Sequence, residues 1–166
     1  MARRRRRVSG GFVASAAAVG ALLGLAGHQG ASGGTAGASM AVPSGSSYTP
    51  QSWAAALLSA GGWPQTACNL GAITAWETAE GGNWENSAAA NPLDTTQPES
   101  GSWVINSDGV QAYPSWAEGF RATLTTLGYA PYRGIRSALA AGDSAQAIAD
   151  AVAGSPWGTG PFNAAC

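Results

Sequence analysis

The sequence predicts a single α+β domain, mostly helical, with one small β-hairpin. Three observations support this fold class. Apolar residues recur at helical spacing early in the domain, the spacing disappears around one hairpin signal, and it returns afterwards. The chain has 166 residues, with 24 Gly and 9 Pro, a length suited to one domain. We expect that domain to span residues 48–166.

Two helices are expected at the start of this domain. Thr49 is a suitable N-cap and Pro50 suits the first helical position, and a glycine pair at 61–62 ends the apolar pattern that follows. The second helix is expected to begin at Pro64 and to end at the glycine pair 81–82. The residues expected along one side of this second helix are Ile73, Trp76 and Glu80.

A β-hairpin is expected next. Residues 103–105 (WVI) and 110–113 (VQAY) favour strands. They flank the turn sequence 106–109 (NSDG), in which Gly109 suits a positive φ. This is the one place in the chain where a short sheet is predicted.

Helical spacing resumes after the hairpin. The pattern 115–118 (SWAE) has the spacing of a capping box, so Ser115 is expected to cap a helix. Ser144 is expected to cap the last helix, and the tail around 156–162 is expected to be irregular. The three expected helices span 116–127, 132–141 and 145–152.

The charges are unevenly distributed. Five of the eight basic residues lie at 3–7, the chain contains no Lys, and all nine acidic residues lie between Glu77 and Asp150. The part after Arg7 keeps three Arg against nine acids, a formal charge of −6. Proteins bind nucleic acid largely by neutralising phosphates with Lys and Arg. A nucleic acid is therefore not an expected partner.

The N-terminal segment has the pattern of a secretory signal peptide. Arginines 3–7 precede an apolar, Ala/Gly-rich stretch over 11–27, and 36–38 (AGA) fits a cleavage site. We expect a cleaved signal over 1–38, a flexible Gly/Ser-rich linker over 39–47, and a secreted, monomeric domain without a membrane partner. An uncleaved membrane anchor is the alternative, although a stretch of about 17 residues is at the lower limit for crossing a bilayer.

Secreted proteins are exposed to an oxidising environment, in which a pair of cysteines usually forms a disulfide. We therefore expect a bond between Cys68 and Cys166. The bridge would close a loop of nearly the whole domain, which stabilises a fold by about 4–5 kcal/mol on chain-entropy theory. A Cys nucleophile is the alternative, but the single histidine, His28, falls in the signal or linker and is not available to activate it. For the same reason, and because the carboxylates are scattered, we expect no metal and no other cofactor.

Carboxylates remain as the plausible reactive groups, and Glu80 is the strongest candidate. It is expected at the C-terminal end of the second helix, where the macrodipole places partial negative charge, and beside apolar residues. Both features raise the pKa of this carboxyl, as a general acid working near neutral pH requires. The alternatives are a solvated Glu at a frayed helix end and, as a competing acid, Glu77 one turn earlier.

Four segments of the chain resemble a lysozyme-like cell-wall domain family of bacteria and their phages. In the family's order they are 75–82 (AWETAEGG), 91–96 (NPLDTT), 109–116 (GVQAYPSW) and 157–160 (WGTG). The likeness covers about residues 53–162. Such families are similar in fold to goose-type lysozymes and lytic transglycosylases, in which the catalytic Glu ends a helix and precedes small residues. One departure is Asp94, at a position where the pattern more often has Asn.

The resemblance implies a cell-wall-associated enzyme that cleaves the glycan strands of peptidoglycan, with Glu80 as the acid/base acting on the glycosidic oxygen. It also implies a lysozyme-like fold in which the hairpin forms one wall of a cleft. In one version of the mechanism a second carboxylate, from Asp94, Asp108 or Glu99, activates water or supports the oxocarbenium-like state. In the other, the substrate's N-acetyl group assists departure and one Glu serves as acid and then base. Either water or the sugar's own 6-hydroxyl then ends the reaction.

Further residues are candidates for binding the sugar, with turn formation and hairpin packing as the alternative roles. The candidate substrate contacts are Asn91, Asp94, Thr95, Thr96 and Tyr113. Trp84 and Trp103 are candidates for stacking on sugar rings, whereas the tryptophans expected in the core are Trp53, Trp76 and Trp116. Because a fold does not determine activity, a non-catalytic wall-binding or structural module is the alternative function.

Overall fold

The computed structural model describes residues 47–166, and these residues confirm the α+β class. About half of them are helical, and one two-stranded antiparallel sheet lies between the second and third helices in the sequence. The predicted signal peptide (1–38) and all but the last residue of the predicted linker (39–47) lie outside the described residues. The elements are α1 (Pro50–Gly61), α2 (Ala67–Glu80), β1 (Trp103–Val104), β2 (Gln111–Ala112), α3 (Trp116–Gly128), a 3-10 turn (Ala130–Tyr132), α4 (Arg133–Ala141) and α5 (Ala145–Ala153).

The first helix begins as predicted and the second does not. The Thr49 side chain accepts a hydrogen bond from the Ser52 backbone N–H, and Ser52 caps Thr49 in return. The second helix begins three residues after the predicted Pro64, because Thr66 caps it by accepting from the Asn69 N–H (3.1 Å). Pro64 lies in the irregular segment between α1 and α2, where its carbonyl accepts from the Asn69 amide (2.7 Å).

The later helix starts follow the same logic with one exception. Ser144 caps α5 as predicted, since its side chain accepts from the Ala147 N–H (3.2 Å). The predicted capping box at Ser115 is wrong. Its hydroxyl bonds to the Glu118 carboxylate, so no side-chain cap reaches the backbone of α3. The helix still begins at Trp116, one residue after the predicted cap.

The hairpin forms at the predicted place and with the predicted turn. Trp103 pairs with Ala112 and Val104 with Gln111, and Gly109 has a positive φ of 86°. Only two residues on each side form regular strand, and residues 103–104 are exposed while 111–112 are buried. The hairpin therefore lies with one strand against the domain and the other towards solvent.

The hydrophobic core is built from all five helices, and α2 packs against α1 and α5. Trp53 of α1 stacks on Phe120 of α3, with ring centroids 5.3 Å apart. Trp53 and Trp76 are fully buried, as predicted, whereas Trp116 is half-buried against the core. The Asn69 amide donates to the Leu139 carbonyl (2.8 Å), which ties α2 to α4 by a buried polar contact.

Asparagine side chains hold the long loop between α2 and β1 in place. The Asn83 side-chain oxygen accepts from the Ala90 N–H (2.7 Å), and the buried Asn91 amide donates to the Gln111 carbonyl of β2 (2.7 Å). These side chains replace the ladder hydrogen bonds that a loop lacks. The loop is thereby fixed to the hairpin on one side and to the end of α2 on the other.

The predicted disulfide between Cys68 and Cys166 is present, and the described part of the chain has no free cysteine. It joins α2 to the last residue of a tail that contains no helix or strand after Ala153. The irregular tail predicted at 156–162 is confirmed. Within residues 47–166, no helix is long and apolar enough to span a bilayer.

Candidate active site

A groove of about 340 Å³ lies where the end of α2, the hairpin and the C-terminal tail meet. Its volume falls in the range of about 300–1,000 Å³ that is typical of ligand sites. Three carboxylates, two other polar side chains and one indole line it. These residues are Glu80, Asp94, Thr96, Asn106, Asp108 and Trp157.

Glu80 reaches this groove because it is the last residue of α2. Gly81 ends the helix in the left-handed region (φ 72°), and its N–H bonds to the Glu77 carbonyl (2.8 Å). Glu80 is half-buried, so its carboxyl lies between the helix end and the groove. The same groove is lined by Asn106 and Asp108, which belong to the hairpin turn.

One carboxyl oxygen of Glu80 is occupied by two donors. Glu80 Oε1 accepts from the Thr159 hydroxyl and from Trp76 Nε1 (3.3 Å). Trp76 Nε1 also donates to Thr159 Oγ1 (3.0 Å). Glu80 Oε2 bonds to none of the described residues and is not among the buried unpartnered atoms. The two oxygens of this carboxyl therefore have different surroundings.

Burial raises the pKa of the Glu80 carboxyl above 4.5, since a charge is poorly solvated in this setting. The hydrogen bonds from Thr159 and Trp76 oppose that rise because they stabilise the carboxylate, and the negative charge of Asp94 adds to it. Together these effects raise the pKa of Glu80. A carboxyl shifted this way keeps its proton closer to neutral pH, which is what a general acid needs.

Asp94 is held beside the groove by a close packing of the loop on the helix end. A Cβ placed on Gly82 would lie 2.2 Å from the Asn91 carbonyl oxygen and 2.4 Å from Asp94 Oδ1. Only glycine allows that approach. Burial raises the pKa of Asp94, while hydrogen bonds from the Asn86 amide (2.9 and 3.2 Å) act against that rise.

The backbone of Asp94 is left-handed, with φ 49°. Asn and Asp tolerate this region better than other side-chain-bearing residues. The backbone therefore explains why either residue type suits position 94. The departure from the Asn of the resembled pattern adds a negative charge to the groove without a steric cost.

Of the predicted substrate contacts, the structure brings Asp94 and Thr96 into the groove with Glu80, but not Asn91, Thr95 or Tyr113. Asn91 is fully buried and bonds to the backbone at Thr95 and Gln111. The hydroxyls of Thr95 and Thr126 share a buried hydrogen bond of 3.0 Å. These side chains hold the wall of the groove and do not line it.

Tyr113 lies in a second concavity, of about 390 Å³, together with Pro114 and Trp116. Its ring is almost fully buried, and its hydroxyl donates to the Gln97 carbonyl (2.6 Å). The side chain therefore packs the hairpin onto the loop. This was the alternative role that the sequence left open.

The candidates for a second carboxylate separate into two groups. Asp94 and Asp108 line the groove, and Asp108 is exposed. Glu99 does not line it, and its carboxylate lies 3.6 Å from the Arg121 guanidinium. Glu99 therefore pairs with Arg121 outside the groove.

The aromatic residue in the groove is Trp157, which was not among the predicted stacking residues. Its Nε1 donates to the Leu93 carbonyl (2.8 Å), and its ring packs edge-on against Trp76 at 4.7 Å. The predicted platforms, Trp84 and Trp103, do not line the groove. The signal for Trp157 and Thr159 was already present, since both belong to the WGTG segment of the resemblance.

Glu77, the competing acid, points into the interior and not into the groove. It is almost fully buried, Trp84 Nε1 donates to its Oε2 (2.7 Å), and its Oε1 has no partner. Burial raises the pKa of Glu77 to about 8, against the smaller lowering effect of the Trp84 bond. The carboxyl is therefore protonated at neutral pH, and it is placed as a structural group.

We expect the free energy of unfolding to depend less on pH in the Glu77→Gln variant than in the wild type. An unfolded Glu ionises near pH 4.5, whereas the folded one keeps its proton to about pH 8. Its stabilising effect is complete below pH 4.5 and is lost as the pH rises to 8, at up to about 1.4 kcal/mol per pH unit. Gln preserves the shape and accepts the Trp84 bond without titrating.

Urea unfolding at pH 5.5 and 7.5 measures this effect. The wild type should lose up to about 2–3 kcal/mol more than Glu77→Gln over that interval. Glu80 and Asp94 also lower the stability as the pH rises, because burial raises their pKa values. Both proteins contain these two residues, so their effect cancels in the comparison. Equal losses in the two proteins would contradict the prediction.

No family model matches this chain, and neither a curated protein nor a solved structure matches it. The likeness of its four segments to a lysozyme-like family therefore remains a prediction from the motifs. Over the described residues, no cluster of His, Cys, Asp and Glu is arranged to hold a metal ion.

Proposed function

We propose that this chain is an exported enzyme that cleaves the glycan strands of peptidoglycan, with a lysozyme-like fold and Glu80 as the general acid/base. The observation that carries the proposal is the half-buried carboxyl of Glu80 at a helix end, with a raised pKa and one oxygen open to a groove. The motif resemblance supports the same residue. The Cys68–Cys166 disulfide agrees with an oxidising, extracytoplasmic location.

The groove suits an uncharged polar polymer with apolar faces. Thr96 and Asn106 offer hydrogen-bonding groups for hydroxyl and acetamido substituents, and Trp157 offers an aromatic surface. The three carboxylates of the groove, in a body of formal charge −6 after Arg7, disfavour strongly anionic ligands. Glycan strands of amino sugars meet these requirements better than a nucleic acid or an anionic wall polymer does.

In the proposed reaction the protonated Glu80 gives its proton to the glycosidic oxygen as the bond to the anomeric carbon breaks. The resulting carboxylate then takes a proton from the attacking water or from the sugar's 6-hydroxyl. We propose that the N-acetyl group of the substrate supports the oxocarbenium-like state, an established exception to the two-carboxylate mechanism. Asp94 then tunes the acid electrostatically and does not act as a nucleophile.

The Asp94→Asn variant tests this division of roles. Asn accepts the left-handed backbone and can still accept from the Asn86 amide. We expect the maximal cleavage rate to stay within about tenfold of the wild type, which is about 1.4 kcal/mol of barrier. The alkaline limb of the pH–rate profile should move to lower pH, because removal of the Asp94 charge lowers the pKa of Glu80. A loss of 10²-fold or more would instead give Asp94 a direct catalytic role.

Purified bacterial sacculi provide the test of the function itself. The disulfide-bonded protein should lower their turbidity and release muropeptides, and the Glu80→Gln variant should not. Mass spectrometry of the products separates reducing ends, made by hydrolysis, from anhydro-sugars, made by transglycosylation. Binding to sacculi without product release would instead support a non-catalytic wall-binding module, and neither binding nor release would reject both functions.

A further inference from the structure

The C-terminal tail reaches the groove as an irregular segment fastened to α2. Its last residue, Cys166, is bonded to Cys68 near the start of that helix. The Ala165 carbonyl lies so close to α2 that a Cβ on Gly71 would come within 2.0 Å of its oxygen. Trp157 is attached to the loop by its bond to the Leu93 carbonyl. Between these anchors the tail carries Thr159, which is 9% exposed, to the carboxyl of Glu80.

The hydrogen bonds at Thr159 lead from Trp76 through the Thr159 hydroxyl to Glu80. An indole N–H only donates, so Thr159 Oγ1 is the acceptor of the bond from Trp76 Nε1 (3.0 Å). The hydroxyl then has its own proton to give, and Glu80 Oε1 is the acceptor within reach. Glu80 Oε1 also accepts from Trp76 Nε1 (3.3 Å). Two donors at Oε1 favour protonation at Oε2, because the carbonyl oxygen of a protonated carboxyl is the better acceptor.

We propose that Thr159 is a positioning residue, supplied by the tail, which keeps Glu80 Oε1 as an acceptor and thereby leaves the transferable proton on Oε2. Oε2 has no protein partner among the described residues and is the oxygen left open to the groove. The proton is therefore presented to a bound ligand before any ligand arrives. The catalytic use of this arrangement rests on the proposed function, whereas the position of the proton does not.

Charged groups around Glu80 do not replace this role. Asp94, from the loop, is negative and raises the pKa of Glu80, and Asp108, from the hairpin, lines the same groove. Glu77, on the same helix, bonds to Trp84 in the interior. Within residues 47–166, no Arg forms an ion pair with Glu80. The neutral donors Thr159 and Trp76 are thus the groups that stabilise its carboxylate.

Two variants of Thr159 separate the hydroxyl from the packing of the side chain. Thr159→Val keeps the shape and removes the hydroxyl, whereas Thr159→Ser keeps the hydroxyl and removes a methyl group. Loss of the Thr159 bond raises the pKa of Glu80, because that bond stabilises the charged form. We expect Thr159→Val to raise this pKa and Thr159→Ser to leave it at the wild-type value.

The first measurement is an NMR titration of the Glu80 carboxyl carbon in the disulfide-bonded protein without substrate, with the signal assigned by its absence from Glu80→Gln. An upward shift in Thr159→Val alone supports the proposal. A titration that coincides with the wild type, or an equal shift in both Thr159 variants, overturns it. If Thr159→Val does not fold, as judged by near-ultraviolet circular dichroism, Thr159→Ala removes the same hydroxyl without adding apolar contacts, and the same outcomes apply.

The second measurement is the pH–rate profile of sacculus cleavage. Thr159→Val should lower the maximal rate about tenfold or more, as expected when a bond to a charged group is lost, and move the alkaline limb to higher pH. Thr159→Ser should keep the wild-type profile. A lower rate with an unmoved alkaline limb would contradict the positioning role. If the wild type releases no product, the proposed function fails, while the titration still decides whether the Thr159 hydroxyl stabilises the carboxylate of Glu80.

Discussion

The Glu80→Gln variant should lose sacculus cleavage by about 10²–10⁴-fold, the contribution that a positioned general acid makes. Gln keeps the length and planarity of the side chain, and its oxygen can still accept from the Thr159 hydroxyl and from Trp76 Nε1. Its amide group then occupies the position of Oε2 but has no acid proton to give. The fold should be unaffected, since Glu80 is half-buried and makes no ion pair in the described part of the chain.

Glu85→Gln is the matched control for this variant. Glu85 is an exposed carboxylate five residues further along the chain, and it does not line the groove. The same chemical change at that position should leave the rate of muropeptide release within about twofold, since surface substitutions of this kind cost little. Comparable rates for wild type and Glu80→Gln would remove the enzyme proposal. An equal loss in both variants would point to a general charge effect.

Loss of the Cys68–Cys166 bridge should cost about 4–5 kcal/mol of unfolding free energy, less any strain the bond carries. The bonded residues are 98 positions apart, so the bridge restricts nearly the whole unfolded domain. Urea unfolding of the oxidised wild type and of the Cys68→Ser/Cys166→Ser double variant measures the difference. A dithiol reductant should destabilise the wild type by a similar amount and leave the double variant unchanged.

A difference below about 1 kcal/mol would contradict this prediction, because it would place the stability of the fold in the helix core alone. The bridge also anchors the tail that carries Thr159 and Trp157. Reduction should therefore weaken cleavage even where the protein remains folded. Near-ultraviolet circular dichroism under the same conditions distinguishes a detached tail from global unfolding.

Local residue chemistry was enough to predict most of the helices. The Thr49 cap with Pro50, the glycine after Glu80 and the Ser144 cap all act within a few residues, so their effects are visible in the sequence. The two errors concern side chains near a helix start that have more than one possible hydrogen-bonding partner. Thr66 caps α2 three residues after the predicted start, and the Ser115 hydroxyl bonds to the Glu118 carboxylate and not to the backbone of α3.

The residues of the candidate site could be predicted only where the nearby sequence gives a signal for them. Glu80 could be singled out from its helix end and its apolar neighbours. Thr159 could not be connected to it from spacing, because 79 residues separate the two. Asn91 and Thr95 carry the residue types of a sugar site, yet burial turns their hydrogen bonds inwards. Residue type alone does not tell which way a polar side chain points.

The sequence by itself determined most of the helix ends, the hairpin turn, the pair of cysteines and the one carboxyl at the end of α2. These features depend on interactions within a few residues or, for the cysteines, on there being a single possible pair. The tertiary structure decided which oxygen of that carboxyl is occupied, which aromatic ring lines the groove and which acid is buried. Those outcomes depend on contacts between the loop, the tail and α2, and such contacts form only when distant segments fold together.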